Sequence, residues 1–284
     1  MDIPGFNLDE FIERVLAEDL GTGGDVTSSA TIPADARFTA EMNCREPITV
    51  AGLEIATAFF RALDPNIRIE QLVEDGQWIL PGTVLMRLAG NARGMLTAER
   101  SALNTLQHLS GIATLTRRYV DAIEGTGATL LDTRKTIPGL RALDKYAARM
   151  GGAQNHRMRL DDGVLIKDNH VGVCGGVSEA VRAAKTADTG LQVQVEVDRI
   201  EQIEPALAAG ADRLLLDNMD VPTLREAVGL VAGRVPLEAS GGVNLDTIRG
   251  IAETGVNFIS VGRITQSAPA VDIGLDYVLQ AKSR

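Results

Sequence analysis

Apolar positions recur along this chain in two different rhythms. In LDEFIERVLAEDL, residues Leu8, Phe11, Ile12, Val15 and Leu16 fall on one helical stripe, and Asn7 precedes them as a residue type that caps helix starts. A glycine-rich turn, GTGGDVTS, follows. RFTAEMNCREPITVAG, RIEQLVEDGQWIL and GTVLMRLAG then alternate apolar and polar residues between Gly, Pro and Asp, as half-buried antiparallel strands do. From Ala98 to Ile123 the spacing becomes helical, with Leu103, Leu106, Leu109, Ile112, Ala113 and Tyr119 on one side. The first part of the chain therefore reads as a small α+β domain that ends in a long helix.

The second half changes character. ATLLD, VLIK, VQVEV, DRLLLD, VPLEA and NFISVG are short apolar runs that alternate with amphipathic helical stretches, which predicts parallel strands joined by crossovers. Five of the six end at polar residues: Asp132 with Arg134 and Lys135, Lys167, Glu196, Asp217 and Ser240. In a βα-barrel the carboxyl ends of the strands converge, so charged residues there gather in one mouth. An open doubly wound sheet is the competing fold, but the glycine-rich first turn of a dinucleotide fold is missing. The pattern favours a barrel, and one short of eight strands is compatible with it.

Charge sharpens this picture. The 284 residues carry a formal charge of −10, which argues against a nucleic-acid backbone as partner. Yet the segment from Arg134 to Lys167 holds eight basic residues against three acids, a local +5, leaving −15 for the rest. A compact cationic region in an acidic protein suits a pocket for a small, multiply charged anion. Arg141, Lys145 and Arg149 lie at near-helical spacing, which also fits a solvated helix face. With only Tyr146 among these basics, stacking on single-stranded RNA has no platform. No apolar stretch approaches the ~20 residues that span a bilayer, and the acidic N-terminal segment is unlike a signal peptide, so a cytoplasmic protein without membrane contact is expected. Two cysteines, Cys44 and Cys174, suit a reducing compartment and read as buried thiols.

The candidate chemistry lies at the strand ends. Ser240, Gly241 and Gly242, and then Gly262, follow the last two predicted strands, where glycines let backbone N–H groups close around a phosphate. Glu196 and Asp217 end apolar strands where an ionised carboxylate needs a cation; Mg²⁺ or a salt bridge to Lys167 or Arg134 satisfies that need equally. Lys167 could serve as a Schiff-base nucleophile or as an anion-binding charge. His156 and His170 flank it, but no CxxC or HExxH spacing completes a zinc site. His156 beside Arg157 fits a carboxylate-binding cluster, His170 a turn, and His108 helix packing.

Nine strings, AEDLGTGGDVTS, TAERSALN, LQHLSGIAT, LDTRKTIPGLR, KYAARMGG, NHRMRL, LIKDNH, LLLDNM and EASGGV, resemble in this order the quinolinate phosphoribosyltransferase family. The resemblance runs from about Glu18 to about Asp272. It implies an N-terminal α/β open sandwich, residues 1–110 completed by the tail 268–284, packed on an incomplete, seven-stranded-like βα-barrel of residues 111–267. It implies decarboxylating transfer of phosphoribosyl from phosphoribosyl pyrophosphate to quinolinate, with Mg²⁺, in NAD biosynthesis. Residue by residue, Thr133, Arg134, Lys135, His156 and Arg157 would surround the quinolinate carboxylates, and Arg100 would reach in from a neighbouring subunit of a homodimer or hexamer. Lys135 and Lys167 would contact phosphoribosyl pyrophosphate, Glu196 and Asp217 would hold Mg²⁺, and Ser240, Gly241, Gly242, Gly262, Arg263 and Thr265 would seat a phosphate. The chain departs from the family pattern in one extra residue in EDLGTGGDVTS, in Gln266 where many members carry His, and in Arg263 where a small residue is usual. The rival readings are a Schiff-base barrel lyase using Lys167 and a paralogue of the molybdenum-transport-associated type.

Overall fold

The computed structural model describes residues 3–278. In chain order its strands are β1 (Arg37–Cys44), β2 (Ile48–Thr49), β3 (Arg68–Gln71), β4 (Trp78–Ile79), β5 (Val84–Asn91), β6 (Thr129–Leu131), β7 (Val164–Ile166), β8 (Val193–Val197), β9 (Arg213–Asp217), β10 (Leu237–Ser240), β11 (Phe258–Ser260) and β12 (Ile273–Tyr277). The described residues divide into two compact units: residues 3–115, 142–151 and 267–278 form one, and residues 116–141 and 152–266 the other. The sequence placed residues 142–151 in the second domain. That segment is the helix Arg141–Met150, whose buried residues 143–148 belong to the first unit. Of the tail read as completing the first domain, residues 279–284 lie outside the described residues.

In the first unit an antiparallel sheet runs β12-β1-β5-β3, and β2 pairs with β4. Alternation along β1 buries Ala40, Met42 and Cys44, as the sequence rhythm requires of a sheet covered on one face. The opening helix is Leu8–Leu20, capped where Asn7 Oδ1 accepts the Glu10 N–H at 3.3 Å. Its Phe11 meets Phe59 edge-to-face at 6.1 Å between centroids. Phe59 lies on the helix Leu53–Leu63, which the sequence reading passed over between two strand segments. The long helix is Ala92–Ala122. Its Gly111 lies so close to the Pro269 carbonyl that a Cβ there would collide with it.

Polar groups are also buried in this unit. His108 Nε2 lies 2.8 Å from Asp144 Oδ1, and Tyr146 donates to Asp75 Oδ2 at 2.5 Å, while Asp75 accepts the N–H groups of Gly52 and Leu53 at the start of the Leu53–Leu63 helix. Burial, with the Asp75 hydrogen bond second, pushes the Tyr146 phenol well up. Lys145, read as part of a solvated face, is 1% exposed; the helix turns this residue inward and leaves Arg149 outside. The cysteines split: Cys44 is buried, but Cys174 is exposed at the end of its helix, against the expectation of a buried thiol.

The second unit is built on a parallel six-stranded sheet in the order β6-β11-β10-β9-β8-β7. All six apolar runs of the second half are strands. Val193, Gln194 and Val195 are buried in succession, as are Leu214, Leu215 and Leu216, as befits strands enclosed on both faces. β6 and β7 are the two edges, so the barrel is not closed; beyond β6 a single parallel bridge, Leu131 to Gln154, stands where a further strand would begin. No helix among the described residues is long and apolar enough to cross a membrane.

Candidate active site

The carboxyl ends of the parallel strands open into one cavity of about 780 Å³. Thr133, Arg134 and Lys135 follow β6, Lys167 follows β7, Glu196 comes from β8, Asp217 ends β9, Ser240 ends β10 and Gly262 and Arg263 follow β11. His156 and Arg157, from the loop after the Gln154 bridge, complete the wall together with Gly241 and Gly242. The convergence follows from topology: parallel strands put all their carboxyl ends on one side, so residues distant in sequence share a mouth.

One wall is cationic. Arg157 donates from a terminal nitrogen to the Gly163 carbonyl at 2.9 Å. Its guanidinium has a lowered pKa, from burial first and from the charge of Arg134 second. Arg134 Nε is buried without a hydrogen-bond partner. Two like charges and an unsatisfied donor at one wall suit an anion; a carboxylate satisfies all three, since guanidinium forks match its two oxygens.

The same cavity also holds two carboxylates, Glu196 and Asp217. Lys167 Nζ lies 2.7 Å from Glu196 Oε2, so the salt bridge weighed from the sequence exists for Glu196. Asp217 accepts from its neighbour Asn218 at 2.6 Å. Its carboxyl pKa is raised, by burial first and by Glu196 second. Asn218 takes a left-handed φ of 55°, and its backbone N–H donates to the Ser240 carbonyl at 2.9 Å. Gly241, at φ +90°, packs so tightly on the Asn218 amide that no Cβ fits. Gly262 has the same property without the unusual φ: a Cβ there would lie 2.7 Å from Lys135 Cδ. These glycines bring backbone N–H groups to the cavity rim, which is what phosphate binding requires.

Two expected residues stand apart. Thr265 does not line the cavity; it is 1% exposed and its hydroxyl donates to the Lys135 carbonyl at 2.8 Å, so it fixes the chain that carries Lys135. Arg100 belongs to the first unit and is exposed on the long helix. Gln266 and Arg263, the departures from the family pattern, both line the cavity. His170 accepts the Lys167 N–H at 3.0 Å and so holds a turn. Not among the expected site residues were Leu165, Leu215, Asn218, Glu238, Val243, Asn244, Ser260 and Val261, which also line the cavity. Of these, Glu238 carried a signal, being a charge inside an apolar strand.

Among the described residues no group of three or more metal-ligating side chains exists. The Glu196 and Asp217 pair is nevertheless a fitting donor set for Mg²⁺, which commonly takes one or two carboxylates and completes its shell with water and substrate phosphates. The raised pKa of Asp217 marks uncompensated negative charge that a cation would relieve.

An open α/β-barrel whose strand ends enclose an anion cavity, with a cationic wall and a pair of carboxylates, defines an enzyme acting on small polyanionic substrates. Residues 25–110 match the quinolinate phosphoribosyl transferase N-terminal domain, and residues 112–276 match its C-terminal domain. A nicotinate-nucleotide pyrophosphorylase (carboxylating) of Mycobacterium leprae is 46% identical over 93% of this chain and 95% of its own length. A chloroplastic one of Arabidopsis thaliana is 41% identical, over 96% of this chain and 83% of its own. The solved nicotinate-nucleotide pyrophosphorylase of Francisella tularensis has a TM-score of 0.92 at 41% identity, covering 98% of this chain and 99% of that one. The chain belongs to the quinolinate phosphoribosyltransferase family.

Proposed function

We propose that the chain transfers phosphoribosyl from phosphoribosyl pyrophosphate to quinolinate with loss of CO₂, giving nicotinate mononucleotide and pyrophosphate in NAD biosynthesis. The observation that carries this reading is the paired Arg134 and Arg157, with Arg134 Nε buried and unpartnered, in the same cavity as the Glu196 and Asp217 carboxylates. Quinolinate brings two adjacent carboxylates to the arginines. Phosphoribosyl pyrophosphate brings ribose and phosphates to the same cavity.

The chemistry then follows from charge and position. Arg134, Arg157, Lys135 and His156 bind the pyridine dicarboxylate, so that its ring nitrogen faces the anomeric carbon. Lys135 and Lys167 neutralise the phosphates, and the N–H groups of Ser240, Gly241, Gly242 and Gly262 seat a phosphate, with Arg263 as an auxiliary fork. Mg²⁺, held by Glu196 and Asp217, would supply neutralisation of the departing pyrophosphate. The C1–O bond breaks as the nitrogen bonds to C1, leaving a cationic ring. That charge stabilises the electron pair left at C2 when the adjacent carboxylate leaves as CO₂, and C2 then takes a proton. Arg100 comes from a second copy of the chain, so the working enzyme is a homo-oligomer, and its compartment is the cytoplasm.

Quinolinate-dependent release of pyrophosphate with formation of nicotinate mononucleotide tests the reading; no release at saturating Mg²⁺ and both substrates would overturn it. The Schiff-base alternative required a buried, unpaired amine at Lys167, whereas this amine is half-exposed and paired with Glu196. Borohydride should therefore trap no covalent adduct.

A further inference from the structure

Glu238 lies at the floor of the cavity, in β10 between Leu215 of β9 and Phe258 of β11, and is fully buried. No substrate atom reaches a side chain with no exposed surface, so any role it has runs through its neighbours. Those neighbours come from three places. Gln194 of β8 donates to Glu238 Oε2 at 2.8 Å. The Arg213 guanidinium approaches the same oxygen at 2.7 Å but off the hydrogen-bond axis, so charge rather than alignment holds that pair, and its other face stacks on Phe258 at 3.9 Å. His156 Nε2 stands 3.5 Å away.

His156 is the link outward. Its Nδ1 accepts the Arg157 N–H at 2.7 Å, so the network assigns the ring proton of the neutral imidazole to Nε2, on the side of Glu238. The backbone N–H of His156 donates to Asp132 Oδ1 at 2.8 Å, and Asn155 donates to Asp132 Oδ2 at 2.5 Å. Asp132 is also fully buried. Two buried acids, one from the end of β6 and one from β10, thus grip the segment Asn155–His156–Arg157 through its backbone and its imidazole.

The grip has a purpose that its surroundings supply. Arg157 and Arg134 repel each other across the cationic wall, and in the absence of an anion a free loop would relax so as to part them. We propose that Glu238 is a positioning residue for recognition of the aromatic dicarboxylate: by fixing the tautomer and orientation of His156 it holds the Arg157 peptide where both guanidiniums meet the substrate. This rests on the proposed function above. Burial alone would raise the Glu238 carboxyl, but the adjacent His156 ring, the Arg213 charge and the Gln194 amide hold it below its usual value and so ionised. A merely structural Glu238 would serve only to neutralise Arg213 in the sheet interior.

The two roles separate in the variants Glu238→Gln and Glu238→Asp. Gln keeps the shape and removes the charge; Asp keeps the charge but, one methylene shorter, withdraws it from the already distant His156 as well as from Arg213. We expect both to raise the KM for quinolinate on the order of ten- to a hundredfold, the effect of a misplaced binding group, while the KM for phosphoribosyl pyrophosphate stays near that of the parent; the Gln variant, which leaves Arg213 without its counter-charge, also lowers the thermal midpoint. In parallel, ¹⁵N spectra of the His156 ring should show a single Nε2–H tautomer in the parent and a mixture in both variants. An unchanged quinolinate KM, or KM values for both substrates rising together with a fall in the midpoint, overturns the positioning role. Should either variant fail to fold, Gln194→Ala, which loosens Glu238 from the other side, gives the same readout. The tautomer is read without turnover, so an unchanged ring spectrum sinks this inference alone, whereas a parent enzyme that releases no pyrophosphate sinks the reading beneath it.

Discussion

Arg134 and Arg157 show how a single residue can be read for function from what it lacks. Their mutual repulsion and the unpartnered Arg134 Nε are costs the folded chain bears until an anion binds. Arg134→Ala or Arg157→Ala should therefore weaken quinolinate binding by ~2–5 kcal/mol, the range for truncating one member of a desolvated charge pair, while phosphoribosyl pyrophosphate still binds. Calorimetry with each substrate separately checks this; equal loss for both would contradict it. Asp217 gives a second case. Its folded-state pKa is raised, so ionisation opposes folding: stability is fully present below the unfolded-state pKa and is lost as pH rises through the folded one. Asp217→Asn at neutral pH without divalent metal should thus raise the thermal midpoint, each kcal/mol regained counting for about 2–4 °C in a protein of this size, while abolishing turnover. A lower midpoint would show that the Asn218 contact outweighs the burial. Most of these side chains were legible because polar residues at the ends of apolar runs stand out. Glu238 was legible only as a charge inside an apolar run; its role was not, because a sequence offers no means of telling a buried acid that works through a neighbour from one that merely balances a charge.

Elements explain why the rim loops hold glycine. At Gly262 the backbone conformation is ordinary and the constraint is space alone, so Gly262→Ala tests close approach without added strain. The new methyl must displace Lys135 Cδ from 2.7 Å, and the Lys135 side chain yields more readily than backbone does. We expect a thermal midpoint within a few degrees of the parent and a KM for phosphoribosyl pyrophosphate raised roughly tenfold, consistent with the ~1–3 kcal/mol typical of inserting a methyl group into a packed site. A large loss of stability with unchanged KM would show that the loop, not the lysine, moves. The parallel strands themselves were plain in the sequence, since strands buried on both faces are continuous apolar runs. The helix Leu53–Leu63 was not, because its apolar residues cover more than one stripe and its ends carry weak signals: Gly52 at the start makes no side-chain cap. Nor could helical spacing reveal that Lys145 points inward, because the same spacing of Arg141, Lys145 and Arg149 fits a solvated face.

At the scale of the whole molecule, Arg100 is the residue the single chain does not account for, exposed on the long helix of the first unit. If a second copy uses it, inactive Arg100→Ala and inactive Lys135→Ala chains, co-refolded, should regain up to about a quarter of parental activity, since mixed dimers carry one intact site of two. No recovery in demonstrated mixed dimers would count against a shared site. The division of the chain into units could not be read from local pattern either, because residues 142–151 leave one unit for the other in mid-sequence. That division bears on how the protein is made. β1, beginning at Arg37, has β5 on one side and β12, ending at Tyr277, on the other, so during synthesis one edge of the first sheet stays unpaired until almost the whole second unit has left the ribosome. Pairing across such a span is slow, and an open edge invites association with other nascent chains. The first unit to be translated is therefore the last to be finished.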